Sequence, residues 1–193
     1  LSWDALLFDF DGVLADTERV HHACWCEVLK PLGVTFDWEF YRRECVGISD
    51  RTLAERFGAG QPECQRKQAL FRLRLEQSPP FHSDTLELIG ELQACYTLAI
   101  VSSSNRLEVE PAVERAGIRP CFQTIVCAQD VERLKPAPDP YLRAAALLSA
   151  RNPLVIEDSD AGVASAQAAG FEVLRVSAPE AMPRELRDLL GFR

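Results

Sequence analysis

Ala5-Leu6-Leu7-Phe8-Asp9-Phe10-Asp11-Gly12 is an apolar run that ends in two carboxylates and a glycine. It reads as a buried strand that delivers Asp9 and Asp11 to its C-terminal end, with Gly12 as the turn residue. Because the two acids flank Phe10, their side chains point the same way in an extended segment. A second apolar run, Leu154–Ile156, ends in Glu157 and Asp158 just before Ser159-Asp160-Ala161-Gly162. Carboxylates converging from two strand ends raise each other's pKa unless something positive lies between them. A hard divalent cation with oxygen ligands, most simply Mg²⁺, meets that need. The plainer alternatives are a helix-capping role for Asp160 and a solvated turn at Glu157.

Working outward, the pattern alternates. Helices are expected over Thr85–Leu92, Arg106–Ala116, Pro140–Leu148 and Gly162–Ala169, and strands over Tyr96–Val101, Thr124–Cys127, Leu154–Ile156 and Phe171–Val176. Short apolar strands separated by helices predict an α/β fold, a Rossmann-like parallel sheet covered on both faces. Directly after the first strand, residues 17–79 break this rhythm with helical segments at Glu18–Leu29, Phe36–Glu44, Asp50–Phe57 and Pro62–Glu76. Pro79-Pro80 closes the stretch, since consecutive prolines terminate a helix and suit a linker. The expected organisation is a core of residues 1–16 and 80–193 with a helical cap, 17–79, inserted over the strand ends where open sheets bind ligands.

The chain has 193 residues, with 21 Lys and Arg against 29 Asp and Glu and a net charge of −8. No basic run offsets the acidic balance, which argues against partners such as nucleic acid or an anionic membrane. No 18-residue apolar stretch is present, and the first residues carry acids where a signal peptide is basic and apolar. Seven cysteines, an odd number without a regular spacing, read as free thiols. Together these features predict a cytoplasmic protein, monomer or homodimer, whose partner is a small molecule.

Two further elements belong with the carboxylates. Ser102-Ser103-Ser104 follows a strand and precedes a helix, where hydroxyls and backbone N–H groups either hold anionic oxygens or cap the helix. Lys135-Pro136-Ala137-Pro138 fixes the backbone around a lysine that is either solvent-exposed or set to compensate a phosphoryl charge. In order, Asp9-Phe10-Asp11-Gly12-Val13-Leu14-Ala15-Asp16-Thr17, Ser102, Lys135-Pro136 and Glu157-Asp158-Ser159 with Gly162 resemble the four motifs of the haloacid dehalogenase-like superfamily. The likeness is to its branch with a small helical cap, which includes beta-phosphoglucomutase and phosphoglycolate phosphatase.

The resemblance implies that Asp9 is a nucleophile forming an aspartyl-phosphate and Asp11 the general acid and base. It implies Mg²⁺ held by Asp9, the Asp11 carbonyl and Asp158, with Glu157 either a ligand or a partner behind them. Ser102 and the Ser103 N–H, with Ser104 beside them, would bind phosphoryl oxygens, and Lys135 would neutralise charge. Asp11 is typical of phosphatases and phosphomutases, whereas the dehalogenases lack that acid. In the cap, His21 resembles a residue that positions the general acid. Arg51, in Gly47-Ile48-Ser49-Asp50-Arg51, is expected to anchor a distal phosphate or sugar, and Lys67 to supply a second cap cation; each equally suits a solvated or packing role. Cys45-Val46-Gly47 lacks the lysine that a mutase would carry before this loop, and Phe81-His82-Ser83 replaces the Pro-Gly common in the linker. The expected activity is therefore a Mg²⁺-dependent phosphatase acting on a small phosphomonoester, a sugar phosphate or similar metabolite. The alternatives are a phosphomutase and a noncatalytic interaction protein.

Overall fold

The computed structural model describes residues 3–78 and 80–191. Pro79, half of the expected seam, lies outside them, as do residues 1–2 and 192–193 of the expected core. β1 (Ala5–Phe8) is buried throughout and leads into α1 (Glu18–Leu29), α2 (Trp38–Glu44), α3 (Asp50–Arg56) and α4 (Gln61–Gln77). The alternating part follows: α5 (Ser83–Leu92), β2 (Thr97–Val101), α6 (Arg106–Arg115), β3 (Thr124–Val126), α7 (Asp139–Leu148), β4 (Pro153–Glu157), α8 (Asp160–Ala168), β5 (Glu172–Arg175) and α9 (Met182–Leu190).

The strands form one parallel sheet in the order β3-β2-β1-β4-β5. The pleat sends Leu6, Phe8, Ile100 and Ile156 into one apolar cluster. Leu7, Val101 and Val155 go into another, which is closed by Tyr141 and Ala144 of α7 and Ala166 of α8. Burying Leu6, Leu7 and Phe8 contributes roughly 1.5–3 kcal/mol each, and β1 lies at the centre of the sheet between β2 and β4. From β1 the chain builds β2 and β3 on one side and later β4 and β5 on the other. The crevice at the carboxyl ends of β1, β2 and β4 is thus the switch point where such sheets bind ligands.

The helices α1–α4 form the cap inserted after β1. Trp25, Leu29, Tyr41, Leu53 and Ala54 give it an apolar centre of its own. Cys24, Phe71 and Leu75 instead join the cluster that holds Phe10 and Leu14, so the inner faces of α1 and α4 are seated on the core. At the seam the Asp16 N–H donates to the Pro80 carbonyl at 2.8 Å, tying the outgoing and returning chains together.

Two expectations shift and one helix is added. α2 starts at Trp38, not Phe36, because the Asp37 side chain accepts from the Phe40 N–H and caps it. Asp160 is the first residue of α8, not its cap; Ser159 caps the helix by accepting from the Gly162 N–H, and Asp160 pairs with Arg175 at 2.7 Å. α9 has no counterpart in the sequence reading, although Met182 and Leu186, one turn apart, bury against the core. Pro183 lies in its first turn, where a helix tolerates proline but where the residue reads as a breaker. The seven cysteines are free thiols. Among the described residues no helix is long and apolar enough to cross a membrane.

Candidate active site

The site starts where β1 stops pairing. The Asp9 N–H still donates to the Ile156 carbonyl at 2.9 Å, and the chain then turns over Gly12, whose N–H reaches the Ala15 carbonyl. Gly12 has φ +79°, and a Cβ there would stand 2.2 Å from Asp158 Oδ2. Both the left-handed backbone and the close approach require glycine at this point. The turn leaves Asp9 buried and sets Asp11 beside it at the mouth of the crevice.

Lys135 lies between the strand ends. Its Nζ donates to Asp9 Oδ1 at 2.7 Å, to Glu157 Oε1 at 2.6 Å and to the Val101 carbonyl at 2.9 Å. Burial raises the Asp9 pKa, and Glu157 adds to the rise while Lys135 opposes it. Glu157 is fully buried and accepts five protein donors: Lys135 Nζ, the Tyr141 hydroxyl, the N–H groups of Asp158 and Ser159, and Ser159 Oγ. The first helical turn of α8 closes over it so tightly that a Cβ on Gly162 would stand 1.8 Å from Glu157 Oε1.

Asp11 has a different environment. Its Oδ1 accepts from Thr17 Oγ1 at 2.5 Å and faces His21 Nε2 at 2.9 Å, and its Oδ2 accepts from Ser104 Oγ at 2.6 Å. Burial works against its charge. The His21 charge and the hydrogen bonds from His21, Ser104 and Thr17 outweigh that and hold the carboxyl below the ordinary range. His21 is also buried, which together with Lys67 disfavours its proton, but the pull of Asp11 leaves its pKa raised. Ser102 accepts from the Ser104 N–H at 2.9 Å and lies 3.4 Å from Asp11 Oδ2, and Ser103 and Ser104 line the cleft. The serines do not cap the next helix; Asn105 does, by accepting from the Leu107 N–H.

The cap closes the cleft with Glu18, His21, Trp25, Tyr41, Ile48 and Asp50, among others. Arg51 is not among them: its side chain is 88% exposed and pairs with Glu55 at 3.0 Å. Its neighbour Asp50 faces the cleft instead. Adjacent residues in a helix point about 100° apart, so one position separates cleft from solvent. Lys67 is fully buried behind Asp50, which it meets at 2.9 Å, and reaches Glu108 of the core at 3.1 Å. Sequence reasoning passed over Tyr141 and Glu108. Glu108 has a signal, the Asn105-to-Glu108 spacing of a capping box. Tyr141 has none beyond being a phenol on an Ala-rich helix.

Ligand atoms of Asp9, Glu157 and Asp158 lie within 4.8 Å of one another. The protein satisfies Glu157 itself, whereas Asp158 Oδ1 is a buried oxygen without a hydrogen-bond partner. Burial, then Glu157 and Glu18, push the Asp158 pKa up to about 8. A buried carboxylate with an open oxygen beside a second acid fits a hard divalent cation.

The family model described as haloacid dehalogenase-like hydrolase matches residues 6–176. Protein CbbY of Rhodobacter capsulatus is 32% identical over 189 residues, covering 88% of this chain and 83% of that protein. The fructose-1-phosphate phosphatase YqaB of Escherichia coli is 28% identical over 179 residues, covering 89% and 95%. The crystal structure of a CbbY mutant from Rhodobacter sphaeroides in complex with xylulose-(1,5)bisphosphate superposes with a TM-score of 0.79 at 27% identity, covering 89% of this chain and 85% of that one. With strand-end acids, lysine and glycine turns disposed as described, the chain belongs to the haloacid dehalogenase-like hydrolases.

Proposed function

We propose that this protein is a Mg²⁺-dependent phosphatase of small phosphomonoesters that works through an aspartyl-phosphate on Asp9. The observation that carries the reading is the pairing of a buried Asp9, held by Lys135 at 2.7 Å, with an adjacent Asp11 tied to Thr17, His21 and Ser104. Two neighbouring carboxylates in such different surroundings suit different tasks.

Asp9 and Asp158, with the Asp11 carbonyl, would hold Mg²⁺, and Glu157 orients Lys135 and the Asp158 loop from behind. The cation supplies orientation and charge neutralisation to the phosphoryl oxygens. A carboxylate oxygen of Asp9 forms the bond to phosphorus as the ester oxygen leaves. Asp11 passes a proton to that oxygen, and the His21 imidazolium in hydrogen-bond contact with it is the source. In the second half Asp11 takes a proton from water, the water oxygen bonds to phosphorus, and the Asp9 acyl-phosphate bond breaks. Lys135 stays beside Asp9 throughout. Ser102 and Ser104 would turn their hydroxyls from Asp11 onto the phosphoryl oxygens, with the Ser103 N–H beside them. Positioning and neutralisation of this kind are what phosphoryl transfer chiefly requires. The relative named as a fructose-1-phosphate phosphatase supports a sugar phosphate or similar metabolite as substrate.

The test is release of phosphate from p-nitrophenyl phosphate and a sugar-phosphate panel with and without Mg²⁺. We expect Mg²⁺-dependent turnover that falls on the order of 10⁴-fold or more in Asp9→Asn. Conversion of a hexose 1-phosphate to its 6-phosphate with little free phosphate would replace this reading by a mutase. No turnover of any ester would replace it by a noncatalytic role.

A further inference from the structure

We infer that the cleft selects monophosphates of neutral polyols, with Glu18 and Asp50 as the specificity-determining carboxylates of the cap wall. They accept hydrogen bonds from the hydroxyls of the leaving group and turn away a second phosphate or a carboxylate. The inference rests on the phosphatase reading above and says which esters that site takes.

The charges around the cleft carry it. At the core end, Lys135 and the serine loop meet one phosphoryl group. On the cap side the charged groups lining the cleft are Glu18, His21 and Asp50. His21 is committed to Asp11 at 2.9 Å. Arg51, expected to anchor a distal phosphate or sugar, and Lys67, expected as a second cap cation, do not reach the cleft. Arg51 points into solvent and pairs with Glu55, and Lys67 lies fully buried between Asp50 and Glu108. One ammonium against two carboxylates leaves that triad net negative. Among the described residues lining the cap side, a second anion on the substrate therefore approaches two acids and no free cation, and like-charge juxtaposition of this kind is an effective device against wrong partners.

A hydroxyl finds the opposite. An O–H donor to a carboxylate makes a short, charge-assisted hydrogen bond. Glu18 is aimed by the Tyr41 hydroxyl, which donates to its Oε2 at 3.0 Å, and Asp50 is fixed by Lys67 against both its oxygens. Trp25, Ile48 and Leu53 complete the wall with apolar surface suited to the C–H face of a polyol.

The experiment compares esters that differ by one anionic group: fructose 1-phosphate against fructose 1,6-bisphosphate, and glycerol 3-phosphate against 3-phosphoglycerate. With Mg²⁺, we expect kcat/KM for the neutral member of each pair to exceed that of its charged counterpart by about 100-fold. Glu18→Gln and Asp50→Asn should each narrow the ratio by about tenfold, a measure from which any general loss of activity cancels. If Asp50→Asn fails to fold for want of its Lys67 contact, Glu18→Gln alone gives the answer. Equal or better turnover of the charged members by the wild type overturns the inference, as does an unchanged ratio in Glu18→Gln. If none of these esters nor p-nitrophenyl phosphate is hydrolysed, the phosphatase reading fails. Binding then decides: in the Asp9→Asn protein with Mg²⁺, fructose 1-phosphate should raise the unfolding temperature at concentrations where the bisphosphate does not. The reverse order overturns the charge argument.

Discussion

The two walls of the cleft handle charge in opposite ways. On the core wall the cation faces the cleft: Lys135 bridges Asp9 and Glu157, Asp11 is enclosed by Thr17, His21 and Ser104, and Asp158 keeps one open oxygen. The cap wall presents Glu18 and Asp50, only partly buried, beside Trp25, Ile48 and Leu53. Fixed dipoles and charges around a reacting centre do most of the work of such catalysis, because they need no rearrangement when charge develops. The core wall is therefore tied to one chemistry. On the proposed reading, Glu18 or Asp50 of the cap wall could be changed to alter which ester enters without disturbing that chemistry.

The sharpest way to break this contrast is to remove the core cation. Lys135→Met leaves Asp9 and Glu157 buried with no positive partner. We expect a loss of about 3–5 kcal/mol, read as a lower urea midpoint, together with loss of phosphate release. Partial recovery of the midpoint by Mg²⁺ would show that the remaining carboxylates still attract a cation. On the cap side the matching change is Lys67→Met. Asp50 is partly solvated there, so the expected loss is smaller, about 2–3 kcal/mol. A double-mutant cycle with Glu108→Gln should return a coupling of at least about 1 kcal/mol between cap and core. No coupling would mean that this ion pair does not help seat the cap.

A third test uses pH. His21 has its pKa raised above 6.5 by Asp11, and Asp11 has its own lowered below 3.8. The raised histidine stabilises the fold fully below pH 6.5, and that contribution disappears as pH rises through its folded value. The lowered carboxyl contributes above pH 3.8 and fades as pH falls toward its folded value. The gap in urea midpoint between wild type and His21→Gln should thus be wider at pH 5 than at pH 9. The same gap at both would show that the pair is not ionic.

The core wall was legible because strands of four and five buried residues end in acids, and an apolar run followed by Asp or Glu is visible in one dimension. The cap wall was not, because it is made from helix faces. α4 mixes charged and apolar residues with little amphipathic order, and its buried residues are Lys67, Phe71 and Leu75, one turn apart. A lysine in an inward row looks in sequence like any other member of a solvated face. Its burial is made tolerable by Asp50 and Glu108, 17 and 41 residues away. α9 is hidden by prolines, and the sequence leaves Glu157 either a ligand or a partner behind the ligands, because nothing in one dimension shows Tyr141 and the Ser159 loop occupying its oxygens.

The smallest expected effect concerns the residue where sequence and structure part most clearly. Arg51 and Asp50 are neighbours in α3, yet one meets solvent and the other the cleft. The Arg51–Glu55 pair is an exposed contact one helical turn long, and such pairs contribute less than about 0.5 kcal/mol. Arg51→Ala should leave the urea midpoint nearly unchanged, and KM for a sugar phosphate should stay within about twofold of wild type, since no substrate contact is removed. Asp50→Asn should change KM much more. A large rise in KM for Arg51→Ala would mean that α3 turns by about one residue when substrate binds, bringing the guanidinium into the cleft. The cap wall would then carry a cation after all, and its preference for neutral leaving groups would be lost.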